Sequence, residues 1–243
     1  MRLLKPKNIN DVSILFDNLD WDIVELDFTI DKISLNKYYD KLKTDLHRFN
    51  FSFDSKEYLR PEIYDTYKTH KRVGNYSGNI QGWSISWPVN RDIPCPSKSQ
   101  ANLNMYPELK DLSEQDFYNS LPQEHYKFGI LTSLIDNLSL SALRQMLMAL
   151  HPSGLVVNTH TDSEVKKMHI PFYTNKDAVF TFGKNRERKY HMELGKAYII
   201  NTLVPHGTEN TGSSERVHLL SRVDNEFMQS LLNIKTIFHD KYT

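Results

Sequence analysis

Between residues 155 and 222 the chain is cut into short β-forming runs by turn residues, and this punctuation restricts the fold more than any other feature. Val165 to Tyr173, Ala178 to Phe182, Ala197 to Asn201 and Val217 to Arg222 are rich in β-branched and aromatic residues. Gly183-Lys184-Asn185, Glu193-Leu194-Gly195 and Thr211-Gly212-Ser213-Ser214 separate them with residues that tight turns use. Short strands at this spacing imply an antiparallel sandwich or barrel. The preceding segment, Ala142 to Leu150, has a helix-forming composition. It runs into His151-Pro152-Ser153-Gly154, a tight-turn signal, and then Leu155-Val156-Val157, so it is read as the first strand of a hairpin.

The remainder reads as a less regular cover. Residues 1–33 mix short apolar pieces with Asp and Asn, as short strands and turns do. Ser34 can cap a helix to about Phe49, with Leu35, Tyr38, Tyr39, Leu42, Leu46 and Phe49 on one face. Ile80 to Val89 alternates around Trp83, Ile85 and Trp87, a strand pattern. Pro88, Pro94, Pro96 and Pro107 then keep 88–108 out of regular structure, as a lid or a covering segment. Ser113 with Asp116 marks a helix start, Gly129 to Leu138 holds a short helix, and Asn225 can cap a last helix sharing Phe227, Leu231, Ile234 and Phe238. The expected fold is mostly β with flanking helices. It forms one domain over 1–243: an irregular, partly helical portion to about 140, a β core over 142–222 and a helix over 225–240.

Bulk properties narrow the function. Lys+Arg 30 balances Asp+Glu 30, so no global field draws in nucleic acid or anionic lipid. Cys95 is the only cysteine, lies between two prolines and has no activating neighbour, which argues against a nucleophile or a disulfide framework. No secretion signal and no run of roughly 18 apolar residues is visible, so a soluble cytoplasmic protein is expected.

The chemistry concentrates in three places. His160-Thr161-Asp162 puts an imidazole and a carboxylate two residues apart, on one side of a strand. His206 follows Asp162 by 44 residues, room for several strands and a return. Two imidazoles and one carboxylate on one face of an ion leave three positions open, the set associated with non-haem Fe(II) oxygenases. Zinc prefers four tetrahedral ligands. Arg216 lies ten residues beyond His206. A turn over Thr208 to Glu215 would bring it back on the neighbouring strand, where its fork can clamp the far carboxylate of a dicarboxylate.

Taken in order, Leu150-His-Pro-Ser-Gly-Leu-Val-Val-Asn-Thr-His160-Thr-Asp162, Lys167-Met-His169, Gly195-Lys-Ala-Tyr, His206-Gly-Thr-Glu-Asn210 and Arg216-Val-His-Leu resemble the aspartyl/asparaginyl β-hydroxylase family, which includes bacterial proline hydroxylases. The resemblance implies a double-stranded β-helix, or jelly roll, that uses Fe(II), 2-oxoglutarate and O2. It implies that His160, Asp162 and His206 hold iron and that Arg216 anchors 2-oxoglutarate. It also implies that Lys167 and His169 stand where the family's Arg-x-His pair helps hold the cosubstrate. Lys167 departs from that pattern, since lysine lacks the guanidinium fork. Asp162 sets the chain nearer the bacterial-type members, because animal enzymes of this family can lack the carboxylate ligand. An amino-acid side chain, free or within a peptide, is the implied substrate.

Other polar and aromatic residues receive plainer readings. Trp83 and Arg91 are read as candidate substrate contacts, with core packing and an exposed loop as their ordinary roles. His218 is read as facing away from Arg216, in packing or at the surface. His191 with Glu193 makes a poor second metal site beside the Gly195 turn. Two rivals use the same residues: a non-catalytic jelly-roll module with a structural or acid-sensing metal, and a zinc hydrolase.

Overall fold

The computed structural model describes residues 3–5, 20–45, 49–50, 76–77, 81–87, 107–118, 120–138, 144–162, 166–223 and 231–240. In chain order the strands and helices are β1 (Leu3–Leu4), β2 (Ile23–Ile30), α1 (Lys32–Asp45), β3 (Phe49–Asn50), β4 (Tyr76–Ser77), β5 (Gln81–Ser84) and β6 (Ser86–Trp87). There follow α2 (Glu114–Tyr118), β7 (Leu121–Pro122), α3 (Gly129–Leu138), β8 (Arg144–His151), β9 (Val156–His160) and β10 (Lys167–Tyr173). The chain continues through β11 (Ala178–Phe182), β12 (Arg188–His191), β13 (Lys196–Ile200), β14 (His206–Asn210), β15 (Arg216–Arg222) and β16 (Ile237–Phe238).

These strands build two principal sheets. The larger runs β1-β2-β13-β10-β15-β8-β5-β3, with β16 also on β2; the smaller runs β12-β11-β14-β9-β4. Pairing within both is antiparallel except where β1 and β16 join β2. From β8 to β15 the chain passes back and forth between the two sheets, with β11 and β12 a hairpin within the smaller one, the topology of a double-stranded β-helix.

The period-two rule sorts the large sheet into two faces. Val24, Leu26, Phe28 and Ile30 of β2, Met168, Ile170 and Phe172 of β10, Val217 and Leu219 of β15, and Met146, Met148 and Leu150 of β8 join one core with Leu35, Tyr38, Tyr39 and Leu42 of α1 and Ile130, Leu131 and Leu134 of α3. The opposite face carries Ile23, Tyr198 and Ile200, which pack with Phe180, Phe182, Met192 and Val204 of the smaller-sheet side. The same inner face carries the polar residues of the site. The helix-covered core is the larger of the two apolar clusters, and the space between the sheets also holds buried polar groups such as His169, Arg216 and His218.

Several expectations change in detail. The first helix starts earlier than Ser34, because the Asp31 carboxylate accepts from both the Ser34 amide (2.8 Å) and hydroxyl (2.6 Å). Asp31 therefore caps the helix and Ser34 sits inside its first turn. The helix ends at Asp45, and Phe49 pairs with Gly82 as a strand. Ser113 and Asp116 do form a reciprocal cap ahead of α2, with the Ser113 amide and hydroxyl each 2.7 Å from the Asp116 carboxylate. Ala142 to Leu150 is a strand where described, since β8 lies between β15 and β5 and tertiary pairing overrides its helical composition, but the expected hairpin does not form: the 151–154 turn carries the chain into β9 of the other sheet. The last helix does not reach Phe238. Residues 231–233 are helical, but Ile237 and Phe238 pair with Thr29 and Ile30, and the Phe238 ring meets Phe28 edge-on at 5.2 Å. Arg91, Cys95, Asn225, Phe227 and the 88–106 part of the expected lid lie outside the described residues. No helix among the described residues is long and apolar enough to cross a membrane.

Candidate active site

The smaller sheet brings the three expected ligands together. His160 ends β9 and His206 begins β14, and the two are register partners. Asp162 lies just past β9, where its amide donates to the Thr202 carbonyl at 2.9 Å. One donor atom from each of the three residues lies within 4.8 Å of the others. The His160 and His206 rings are 4.4 Å apart, and His160 Nε2 is 3.7 Å from Asp162 Oδ1.

Local hydrogen bonds fix which nitrogens can bind an ion. His160 Nδ1 is 2.8 Å from the Asn158 carbonyl, and His206 Nδ1 is 3.0 Å from the Val204 carbonyl. A carbonyl only accepts, so each Nδ1 carries the proton and each Nε2 keeps its lone pair. Histidine ligands of metals are usually oriented this way. Burial is the main cause that brings His206 down to about 4, which keeps it neutral and able to ligate at neutral pH. Burial pushes the Asp162 carboxyl up, but the charge and hydrogen bond of Lys167, followed by His206 and His160, outweigh it and hold the group below its ordinary value. Lys167 Nζ lies 2.5 Å from Asp162 Oδ2. Lys167 is thus engaged with the carboxylate of the triad.

Close packing holds β14 in place. A Cβ on Gly207 would stand 2.6 Å from the Val157 carbonyl oxygen, so only glycine lets β14 approach β9 right after His206. The pairing slips there, and Arg186 donates through Nη2 to the carbonyls of Val157 (3.1 Å) and Thr208 (3.0 Å) beside the irregularity. The Asn210 side-chain amide faces the carbonyls of His151 (3.0 Å), Pro152 (3.1 Å) and Ser214 (2.9 Å), which ties the 151–154 turn to the 211–215 turn.

Arg216 does not return beside His206. After β14 the turn occupies 211–215, and β15 enters the large sheet between β10 and β8. Arg216 therefore belongs to the opposite sheet and reaches the interior from there. It is 2% exposed, and its guanidinium carbon stacks 4.7 Å from the centre of the Phe180 ring. Its polar contacts are imidazoles: Nη1 is 2.9 Å from His151 Nδ1, while Nε and Nη2 are 3.0 and 2.8 Å from the two nitrogens of His218. Residues 216 and 218 share a strand face by simple parity, so His218 faces Arg216, contrary to the sequence expectation. Burial brings Arg216 down to about 9. Burial first, and then the Arg216 charge, hold His151, His169 and His218 well below the ordinary histidine value, so all three are neutral.

The donors outnumber the acceptors here. A guanidinium has five N–H bonds, and a neutral imidazole accepts through one nitrogen only. Two imidazoles therefore satisfy at most two of the five, and no carboxylate pairs with Arg216 among the described residues. His169 stands close by, 3% exposed, edge-on to Phe180 at 4.8 Å, with neither ring nitrogen hydrogen-bonded. A buried cation and an unsatisfied imidazole without an acid are costly unless an anion belongs between them.

Trp83 is not part of this pocket. It is fully buried on the helix-covered side of β5, 6.3 Å from Tyr39, so it packs the core and cannot touch a substrate. His191 is exposed and lies 3.1 Å from the Ala178 carbonyl, a contact across strands. His151 and His218 are the residues that sequence reading missed.

Residues 101–226, just over half of the chain, match the family model described as Aspartyl/Asparaginyl beta-hydroxylase. The chain belongs to that family. It is a hydroxylase of the Fe(II)- and 2-oxoglutarate-dependent dioxygenase class, which uses O2, on a mostly β, double-stranded β-helix fold. Among solved structures it is similar to a 2OG-Fe(II) oxygenase family oxidoreductase from Burkholderia pseudomallei, at 12% identity over 83% of this chain and 96% of that one, TM-score 0.35. It is also similar to a Trichoplax adhaerens prolyl hydroxylase in complex with a hypoxia inducible factor peptide fragment, at 11% identity over 82% and 93%, TM-score 0.34. A Pseudomonas putida prolyl-4-hydroxylase matches at 13% identity over 78% and 97%, TM-score 0.30. No curated protein matches the chain.

Proposed function

We propose that this β-hydroxylase family member hydroxylates an amino-acid side chain of the Asp/Asn or Pro type, free or within a peptide. In this reading His160, Asp162 and His206 hold Fe(II), and Arg216 with His169 receives the far carboxylate of 2-oxoglutarate. The observation that carries it is the pairing of two halves. One is a cluster of three donors with both Nε2 lone pairs presented. The other is a buried guanidinium in a pocket that has donors to spare and no acid. Two imidazoles and a carboxylate suit a facial ferrous site, and a fork with unspent N–H bonds suits a carboxylate.

When bound, iron with 2-oxoglutarate and O2 supplies the oxidation: 2-oxoglutarate gives succinate and CO2, and one oxygen atom enters a substrate C–H bond. The chain's own residues orient and shield. Lys167 engages one carboxylate oxygen of Asp162 and leaves the other facing His160. Phe180 and Phe182 give the space between the sheets an apolar wall. His160 and Asp162 have side chains 24% and 27% exposed, while Arg216 is sealed, so a substrate side chain has access on the metal side.

The test is to supply Fe(II) and 2-oxoglutarate with libraries of free amino acids and peptides. Mass spectrometry reads the gain of one oxygen, and succinate is measured in parallel. Succinate formation that needs Fe(II) and disappears in His160→Ala and His206→Ala is the expected result. Metal binding without 2-oxoglutarate turnover under any substrate would instead indicate the non-catalytic module.

A further inference from the structure

His206 and Arg216 sit in different sheets, and one side chain touches both Arg216 and the strand that carries His206. His151 ends β8 of the large sheet, directly opposite Arg216 in register. Its Nδ1 lies 2.9 Å from Arg216 Nη1 and 3.3 Å from the hydroxyl oxygen of Thr208, two residues beyond His206 on β14 of the smaller sheet. A guanidinium only donates, so Nδ1 is the acceptor, its one lone pair shared between Arg216 Nη1 and the longer contact donated by the Thr208 hydroxyl, and Nε2 of His151 carries the proton. The His151 carbonyl is held in turn by the Asn210 amide at 3.0 Å. The imidazole is 7% exposed and therefore has little room to move.

We propose that His151, tied to Thr208, is a positioning residue that fixes the Arg216 fork relative to the strand bearing His206 and so selects the 2-oxo acid cosubstrate by chain length. The inference rests on the reading of Arg216 as the carboxylate clamp. A 2-oxo dicarboxylate must reach the metal with one end and the fork with the other, so a fixed fork measures its length. Arginine is long and flexible: His218 and Phe180 hold the Nε and Nη2 side of the guanidinium, and without His151 the Nη1 side would shift to meet a shorter or longer acid. A neutral acceptor restrains it without cancelling its charge, whereas a carboxylate at position 151 would neutralise the guanidinium and compete with the ligand. One methylene is worth roughly 10- to 200-fold in a fixed pocket.

Calorimetric titration of 2-oxoglutarate, oxaloacetate and 2-oxoadipate into the anaerobic Fe(II)-loaded protein tests this. Wild type is expected to prefer 2-oxoglutarate. His151→Leu, which removes the acceptor, should bind 2-oxoglutarate about ten-fold or more weakly, the worth of one hydrogen bond to a charged group. It should also narrow the preference over 2-oxoadipate by about ten-fold. His151→Asn, which retains a carbonyl acceptor, should recover much of both. Thr208→Val keeps the shape of the side chain and loses only the hydroxyl. It should narrow the preference several-fold, and it carries the test if His151→Leu does not fold. Chain-length preference as sharp as wild type in folded Thr208→Val and His151→Leu would overturn the proposal. Arg216→Leu separates the two levels. If it binds 2-oxoglutarate like wild type, the clamp reading itself fails; if it loses binding while the His151 and Thr208 variants match wild type, only the positioning role fails.

Discussion

Replacing Arg216 by Met should make the ligand-free protein more stable while removing its response to 2-oxoglutarate. The magnitude follows from the surroundings of the guanidinium. Burial lowers it from 12.5 to about 9, and at 1.36 kcal/mol per pH unit this corresponds to an order-of-magnitude cost of about 5 kcal/mol in the folded state. Methionine removes that cost. Against it stand the lost hydrogen bonds to His151 and His218, about 1 kcal/mol each, and an imperfect fill of the vacated volume, about another 1 kcal/mol. The net is a gain of about 2 kcal/mol, in the range found when buried charges are replaced by apolar residues. For a chain of this length that raises Tm by roughly 4–8 °C. The assay is thermal melting at pH 7.5, metal-free and without dicarboxylate, and then with Fe(II) and 2-oxoglutarate under argon. Wild type should gain about 2.7 kcal/mol at a hundred times its Kd, and Arg216→Met should gain only what the metal confers. A variant that melts below wild type in the ligand-free state would refute the reasoning, because the guanidinium would then be compensated within the fold.

Two further outcomes follow. Asp22 has a fully buried side chain held by Arg188 through Nε (2.7 Å) and Nη2 (3.2 Å) and by the Tyr190 hydroxyl (3.1 Å), so Arg188→Ala should cost about 3–5 kcal/mol in urea unfolding; a loss under 1 kcal/mol would mean that solvent reaches Asp22. His151, His169 and His218 are buried and neutral. Unfolded imidazoles take up protons below about pH 6.5 and these do not, so stability is full above about 6.5 and falls as pH drops, by up to about 1.4 kcal/mol per pH unit for each. Urea midpoints measured from pH 7.5 to 5.5 should show the decline, and a flat profile would show that these rings are already charged or solvated.

Much of the architecture was legible because local and long-range preferences agree. Gly129 to Leu138 is helical and buries one face, as its pattern implies, and β8 is a strand despite its composition, although the turn at His151-Pro152-Ser153-Gly154 leads across to the other sheet and not into a hairpin. The His160, Asp162 and His206 spacing pointed to a cluster that the structure contains, although Asp162 lies just past β9 and reaches it from the chain beyond the strand, not by strand parity. What sequence missed depends on which sheet a strand joins. The ten-residue step from His206 to Arg216 fits a hairpin as well as a crossover, and only the packing of β15 between β10 and β8 decides for the crossover. His151 read as a turn residue because its partner lies 65 positions away. His218 was different: strand parity already put it on the face of Arg216, and weighing it as a packing residue hid that signal. Trp83 shows the converse, a pocket-like aromatic that the helices cover.

The most direct measurement is a crystal structure of the protein grown without oxygen in Fe(II) and 2-oxoglutarate, with the metal located by anomalous scattering. Iron bound by Nε2 of His160, Nε2 of His206 and the Asp162 carboxylate, with the far carboxylate of 2-oxoglutarate on Arg216, is the expected result. Iron held by other residues, or a 2-oxoglutarate carboxylate lying away from Arg216, would contradict it.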